Sequence, residues 1–263
     1  MADLDSVHAV IKGTHPEGAL TEADASGKVR EMFTRIAPRY DLLNHVLSLQ
    51  LDRLWRARVA RRFHAVLQRP NAFVLDLCCG TGDLAMALSR GARARIIGAD
   101  FAHPMLVRAR EKCILRGVRP SANNISPSRF FEADALRLPF ADRSFDLVTT
   151  AFGFRNLANY ESGLREIFRV LKPGGSIAIL EFTEPPAGFI GNVYRWYFQS
   201  VLPRIGGFIS GDRAAYSYLP KSVSRFFRPP ELAALMNDVG YASVEFSAWT
   251  LGTVALHTAT RKL

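Results

Sequence analysis

The 263-residue sequence is short of several things, and each shortage narrows what the chain can be. It holds three cysteines, Cys78, Cys79 and Cys113. An odd number in a chain without an apolar signal-peptide core argues against a disulfide framework and for a reducing compartment. Cys78 and Cys79 are neighbours that point apart on a strand or tight turn, and neither a CxxC pair nor a histidine cluster completes a metal set. No metal is expected, and buried packing is favoured over thiol chemistry for these cysteines. No run of about 18 apolar residues exists, so no segment is expected to span a bilayer. Acidic charge is the scarcer sign, with 24 Asp+Glu against 34 Lys+Arg and a net charge of +10. That balance suits an anionic surface, nucleic acid or phospholipid, and equally a solvated basic exterior. The arginines are scattered apart from short clusters within 53–62, and RNA-binding and helix-turn-helix signatures are missing, so no nucleic-acid partner is expected.

What is present is enough apolar sequence, 48%, for one sizeable core. Residues 1–24 are mixed in charge and aperiodic and read as a loose leader, unlike a transit peptide. Val29, Met32, Phe33 and Ile36 then recur at helical spacing from Lys28 to Pro38, and a second helix is expected over Asp52–Leu67. From Ala72 apolar strands alternate with amphipathic helices. The strands are Phe73–Leu77, Arg95–Ala99, Phe130–Glu132, Phe145–Thr150 and Ser176–Glu181; the helices are Leu84–Ser89, Pro104–Arg116 and Glu161–Leu171. Such alternation means a parallel sheet covered on both faces. The tail reads as helix Glu231–Val239 and strands Ala242–Ala248 and Leu251–Ala259, too close together for a crossover and therefore antiparallel. Arg119–Ser128 reads as a surface loop, and Pro185–Pro230 as a long interruption.

Open parallel sheets bind ligands beyond the carboxyl ends of their central strands. The turn Cys78-Cys79-Gly80-Thr81-Gly82-Asp83 follows the first strand there, and Asp76 lies within that strand. Gly80 and Gly82 let backbone N–H groups approach a ligand, and the next helix offers its positive end. The turn has neither the third glycine of GxGxxG nor a P-loop lysine, which favours a small anion such as a carboxylate over pyrophosphate. Asp100, followed by Phe101, ends the second strand, where a carboxylate can accept from two ribose hydroxyls. Asp134 ends the third, where it could accept from an adenine amine while the Ala135 N–H donates to a ring nitrogen. Either acid alone could simply cap a turn. Together they outline a pocket for an adenosine carrying an amino acid, which is S-adenosyl-L-methionine.

At this point the sequence resembles class I S-adenosylmethionine-dependent methyltransferases, and more narrowly the ubiquinone/menaquinone biosynthesis C-methyltransferase family. Ala37-Pro38-Arg39-Tyr40-Asp41-Leu42-Leu43-Asn44, Phe152-Gly153-Phe154-Arg155-Asn156-Leu157 and the stretch from Gly211-Asp212 to Tyr216-Ser217-Tyr218-Leu219 carry the narrow resemblance. Arg169-Val170-Leu171-Lys172-Pro173-Gly174-Gly175, with Leu180-Glu181-Phe182, is common to many methyltransferases. The likeness runs from about Lys28 to the C-terminus. It implies a Rossmann-like α/β fold with a seven-stranded, mostly parallel sheet of order 3-2-1-4-5-7-6, strand 7 antiparallel, and extra N-terminal helices. It also implies one methyltransferase domain over 25–263: helices at 25–70, a cofactor-binding half at 71–184, a lid or substrate insertion at 185–230, and a final helix and strand pair at 231–263. The cofactor contacts implied are Thr81, Asp100 and the Asp134-Ala135 pair, with Ala151 at the rim. Many ubiquinone-making members carry Asn before that alanine, Ser at the position of Ala151 and glycine at Cys79. The departures here tilt the substrate toward a naphthoquinol, demethylmenaquinol to menaquinol, with ubiquinone-pathway benzoquinol methylation, or both, as the alternative.

Methyl transfer to a ring carbon needs in-line alignment and a quinol that loses a proton; phenols titrate near pH 10, so a cation beside the oxygen helps. Arg155 is the choice for that cation, alone or through a water, and Asn156 for fixing the quinol oxygen, although Arg155 could instead pair with a local acid. Tyr40, Tyr194, Asp212 and Tyr216 are candidate substrate contacts and Tyr218 a further candidate for the quinol pocket, with packing the alternative role for each. The aromatic segment within 185–230 reads as a lid, an interfacial helix, or core or dimer packing, which leaves a homo-oligomer open. A prenylated quinol resides in a bilayer, so a cytoplasmic location with peripheral membrane contact is expected. The rival readings are an RNA or other small-molecule methyltransferase, a non-catalytic cofactor-binding scaffold and, disfavoured by the incomplete glycine fingerprint, a nicotinamide dehydrogenase.

Overall fold

A computed structural model describes residues 12–41, 48, 50–116, 129–184, 188 and 213–262, the side chains of 213–217 excepted. Seven strands form one sheet: β1 Phe73–Leu77, β2 Arg95–Asp100, β3 Phe130–Glu132, β4 Phe145–Ala151, β5 Leu171–Phe182, β6 Tyr241–Trp249 and β7 Val254–Arg261. Their order is β3-β2-β1-β4-β5-β7-β6. The pairs from β3 to β5 are parallel, and β7 runs antiparallel to both β5 and β6. This is the order and handedness of pairing that the resemblance implied.

The central strands are apolar on both sides, and successive residues feed opposite layers. Val74, Ile96, Leu147 and Leu180 enter a core with Trp55, Val59, Leu88 and Leu106. Leu75, Ile97, Val148 and Ile179 enter the other, with Leu164, Ile167 and Met236. The described helices are α1 Glu22–Ile36, α2 Leu51–Arg62, α3 His64–Leu67, α4 Asp83–Ser89, α5 His103–Leu115, α6 Tyr160–Val170, α7 Arg213–Arg225 and α8 Pro229–Val239, of which α2, α4, α5, α6 and α8 supply the helical residues just named. In α6 the buried stripe is Leu164, Ile167 and Val170, and Asn159 caps the first turn by accepting from the Ser162 N–H at 2.9 Å.

Several expected boundaries move. Helix α1 begins at Glu22, six residues before Lys28, because Thr21 caps it by accepting from the Asp24 N–H. The helix expected over Asp52–Leu67 is two, broken at Phe63, where the backbone leaves helical geometry. Pairing in β5 begins at Leu171 opposite Phe145 and resumes at Ser176 opposite Leu147, so the Lys172–Gly175 corner lies inside that strand's span. Strand β7 begins at Val254, not Leu251, which sits in a one-turn 3-10 helix with φ 58°.

Of the stretch read as a loose leader, residues 12–24 lie against the body: the Thr14 N–H donates to the Leu157 carbonyl at 2.7 Å, and Thr14, Ala19 and Ala25 are buried. Residues 1–11, the whole of the Arg119–Ser128 loop and most of 185–212 lie outside the described residues, as do Tyr194 and Asp212. Tyr216 falls in α7 with its side chain likewise outside.

Candidate functional site

The carboxyl ends of β1, β2 and β4 open onto a cleft of about 620 Å³, counting its mouth. Gly80, Asp100, Phe101, Asp134, Ala135 and Asn156 line it, and α1 and the 3-10 turn after it roof it with Ser26, Phe33 and Tyr40. A smaller inner cavity of about 310 Å³ shares Tyr40, Cys78 and Gly80 with it, and is lined further by Arg56, Asp76, Thr81, Asp83 and Ala151. Of the residues expected to hold a cofactor, Asp76, Gly80, Thr81, Asp100, Phe101, Asp134, Ala135 and Ala151 therefore gather at one rim. Gly82 lines neither cavity; with φ 80° it starts α4, its N–H donating to the Cys79 carbonyl at 2.8 Å.

The strand-end acids bind the turns together and also face the cleft. Asp100 accepts from the Gly80 N–H at 2.8 Å through Oδ2 and from the Ala102 N–H at 2.9 Å through Oδ1. Burial pushes its pKa up to about 6, against the pull of those hydrogen bonds. Asp134 accepts from the Leu136 N–H at 2.9 Å, and its residue remains exposed at the mouth. Asp76 is fully buried; it accepts from the Ala85 N–H at 2.8 Å and from the Thr149 hydroxyl at 3.0 Å, tying β1 to α4 and β4. Burial raises its pKa to about 7.

Thr81 is placed by contacts that the local sequence does not announce. Its hydroxyl donates to Asp41 at 2.5 Å and accepts from Lys112 Nζ at 2.8 Å. Lys112 also reaches Asp41 at 2.8 Å and Asp83 at 2.9 Å. Burial works against the charge on Asp83, but Lys112 and Arg56 outweigh it and its pKa is lowered. Arg56 is itself buried and paired with Asp52. Sequence reasoning missed Asp52, Arg56 and Lys112. Asp41 was legible only as part of its motif, because Asp41, Thr81 and Lys112 lie dozens of residues apart.

At the β4 end, Asn156 faces the cleft and Arg155 does not. Arg155 is buried: Nη1 donates to Glu181 Oε2 at 2.8 Å and to the Phe152 carbonyl at 2.6 Å, and Nε lies 3.4 Å from the Ser222 hydroxyl. The Arg155 N–H donates to Glu181 Oε1 at 3.2 Å. Burial opposes the arginine's charge, but Glu181 outweighs it and raises the pKa, so the group stays a cation. The pairing with a local acid, held open from the sequence, is the arrangement found. The Asn156 side-chain oxygen accepts from the Tyr218 hydroxyl at 3.0 Å.

The adjacent cysteines sit behind this rim. Cys78 carries φ 53°, and a β-carbon on Gly153 would come within 2.4 Å of the Cys78 Cβ, so only glycine lets the β1 and β4 ends meet there. Burial first, and then Asp100 and Asp76, raise both thiol pKa values, which keeps them protonated and poor nucleophiles. Among the described residues no cluster of His, Cys, Asp and Glu could hold a metal ion, and no helix is long and apolar enough to cross a membrane.

A sheet of order 3-2-1-4-5-7-6 with one antiparallel strand, a glycine turn after β1 and acids ending β2 and following β3, defines the Rossmann-like methyltransferase class. A solved S-adenosylmethionine-dependent methyltransferase from Thermotoga maritima shares the fold, with a TM-score of 0.60 at 18% identity over 89% of this chain and all of that one. The chain belongs to the ubiE/COQ5 methyltransferase family, whose model matches residues 21–261. A demethylmenaquinone methyltransferase of Thermus thermophilus is 50% identical over 88% of this chain and all of the relative. One of Deinococcus radiodurans is 48% identical over 89% of this chain and 92% of the relative.

Proposed function

We propose that this protein methylates a ring carbon of a prenylated quinol in respiratory quinone biosynthesis, converting demethylmenaquinol to menaquinol with S-adenosyl-L-methionine as methyl donor. The observation that carries this reading is that one cleft brings the glycine turn, the Asp100 and Asp134 carboxylates and Asn156 to a single rim. The naphthoquinol is favoured by the two relatives of nearly half identity that carry the demethylmenaquinone name.

The residues present fit the donor. Gly80, with φ 53°, and Tyr40 line both cavities, so the bare backbone of the turn borders the space a ligand would occupy. Phe101, Met105 and Leu136 give the outer cavity apolar walls suited to a purine. Asp100 would accept from the ribose hydroxyls, and Asp134 with the Ala135 N–H would meet the adenine edge. The glycine turn would receive the amino-acid end, with Asp76, Thr81 and Ala151 shaping its floor. When bound, the donor supplies an electrophilic sulfonium methyl.

The chain's own part is to hold the quinol, make its ring carbon nucleophilic and keep water out. Asn156 would donate to a quinol oxygen. The buried Arg155–Glu181 pair next to it cancels its own charge, so its part would be to hold the turn after β4 that carries Asn156, through the Arg155 contacts to Glu181 and the Phe152 carbonyl, and not to face the phenolic oxygen as a free cation. Tyr40 closes the roof over both cavities. We assign Tyr194, Asp212 and Tyr216 to the quinol's side by their place in the sequence, within or beside the insertion at 185–230. Exposed Arg53, Arg58 and Arg61 on α2, with half-exposed Leu54, support peripheral contact with an anionic membrane where such a substrate resides.

The test is methyl transfer from radiolabelled donor to demethylmenaquinol and, separately, to the demethylated benzoquinol precursor of ubiquinone, under reducing conditions in detergent. Label in the naphthoquinol supports the reading, and label in both makes the enzyme serve two pathways. Label in neither, with the donor still bound, contradicts it.

A further inference from the structure

The segment before α1 reaches into the methyl-transfer site, and it does so from outside the part of the chain that the family model matches, which begins at residue 21. Gly13 is pressed onto the loop after β4: a β-carbon there would come within 2.2 Å of the Leu157 carbonyl oxygen and 2.5 Å of that of Ala158. Only glycine allows this approach. The Thr14 N–H closes it with a 2.7 Å hydrogen bond to the Leu157 carbonyl, and Arg225 holds the next residue through the His15 carbonyl at 3.0 Å. Thr14 is 4% exposed, and its hydroxyl lies 2.6 Å from the Tyr218 hydroxyl.

The direction of this chain follows from donor counting. A side-chain amide oxygen can only accept, so Tyr218 spends its single proton on Asn156 Oδ1. Tyr218 then has lone pairs alone to offer Thr14, and the threonine must be the donor. With Tyr218 fixing Oδ1 on its own side of the amide, the NH₂ lies on the other. One hydrogen of Nδ2 points to the Phe152 carbonyl at 3.4 Å, which leaves the other for the cleft. A free asparagine could turn either edge to a ligand; the Tyr218 and Phe152 contacts hold this one with its remaining N–H toward the cleft.

We propose that Gly13 and Thr14 form a positioning strap for methyl transfer: Thr14 holds the Tyr218 hydroxyl, and Tyr218 fixes the Asn156 amide with its N–H edge toward the quinol oxygen. The inference rests on the function proposed above for its catalytic consequence, but the hydrogen-bonded chain belongs to the protein alone. Thr14 and Tyr218 are positioning residues, since they act through Asn156.

The experiment compares the wild type with Thr14→Val, Thr14→Ser and Tyr218→Phe. In ligand-free protein carrying ¹⁵N-asparagine, the Asn156 side-chain amide signal is assigned by its loss in Asn156→Asp. It is expected to shift in Thr14→Val and Tyr218→Phe more than any other asparagine side chain, and to stay in place in Thr14→Ser. In methyl transfer, each of the two disrupting variants is expected to lower kcat about tenfold, the effect of one lost hydrogen bond, with KM for the donor within about twofold. Thr14→Ser should match the wild type, and Thr14→Val with Tyr218→Phe combined should be no worse than either alone. An unmoved Asn156 amide in Thr14→Val, full kcat in that variant, or an equal loss in Thr14→Ser would overturn the proposal. If Thr14→Val does not fold, Tyr218→Phe decides by the same readouts. A wild type inactive on quinols would count against the proposed function, while the amide signals would still decide the strap.

Discussion

The two sides of the cleft are built differently. On the β1–β3 side the two acids that face the cleft sit at or just past a strand end, a few residues from the apolar run that announces them, and their partners are the backbone of the next turn: Asp100 on Gly80 and Ala102, Asp134 on Leu136. On the β4 side, beyond the Phe152 carbonyl that Arg155 and Asn156 share, the partners are distant. Arg155 meets Glu181 and Ser222, Asn156 meets Tyr218, and Tyr218 meets Thr14, 204 residues away. The first side suits a ligand common to a whole fold class. The second has to be assembled from separate elements, so it is where a particular acceptor and its alignment would be set.

The largest effect expected from breaking that contrast lies on the β4 side. Glu181→Gln leaves Arg155 buried without its counter-charge, and we expect a stability loss of roughly 3–5 kcal/mol in urea melts, with methyl transfer falling alongside. On the β1–β3 side Asp100→Ala should cost less stability, about 1–3 kcal/mol, for the Gly80 and Ala102 N–H groups it leaves without an acceptor. It should weaken donor binding by roughly tenfold or more by calorimetry, the scale of about 1.5–3 kcal/mol for hydrogen bonds to a charged group.

Acidity sharpens the comparison, because the two carboxyls whose pKa is raised, Asp76 and Asp100, both lie on the β1–β3 side. The pKa of Asp100 is about 6, and two hydroxyls donate best to its ionised form, so donor affinity should rise as pH climbs through about 6. Asp100→Asn should flatten that rise. For Asp76 the folded pKa of about 7 stands above the usual 3.8. The folded state therefore holds a proton that the unfolded chain has released, and the resulting stabilisation is full below pH 3.8 and lost as pH rises to about 7. The stability of the wild type relative to Asp76→Asn should decline across that window by no more than a few kcal/mol. A flat difference would mean that the carboxyl is not perturbed.

The smallest effect is expected at the Lys112 junction. Lys112→Met keeps the stem but frees Asp41, Asp83 and the Thr81 hydroxyl, and donor affinity should drop only a few-fold, by less than about 1 kcal/mol, more at low salt than at high. A loss as large as that of Asp100→Ala would erase the distinction between the acid that meets the donor and the contacts that hold its turn.

The same contrast explains what could be read from the sequence. The strand order follows from apolar runs alternating with amphipathic helices and from a tail too tight for a crossover, and the strand-end acids follow from where those runs stop. Asp100 and Asp134 needed only the period of two and the position of a turn. Arg155 and Asn156 came from the family's motif, and the motif could not tell that Glu181 takes the arginine's charge, since the two sit 26 residues apart on different strand ends. Residues 12–24 were misjudged for a similar reason. They are aperiodic and charged, but a single glycine that fits against Leu157 and Ala158, and a threonine that reaches Tyr218, hold them in place. Helix α1 starts early because Thr21 and Asp24 make a cap, a signal present in the sequence and outweighed by the weak apolar period before Val29.

The most direct measurement is a single-turnover assay of the purified protein with radiolabelled S-adenosyl-L-methionine and demethylmenaquinol, run beside Asp100→Ala and Asn156→Ala with donor binding measured in parallel. The account predicts that the wild type transfers label to the naphthoquinol ring, that Asp100→Ala fails mainly by losing the donor, and that Asn156→Ala binds the donor normally but transfers at least about tenfold more slowly. Donor binding without ring methylation in the wild type, or an Asn156→Ala variant whose defect is in donor binding, would contradict it.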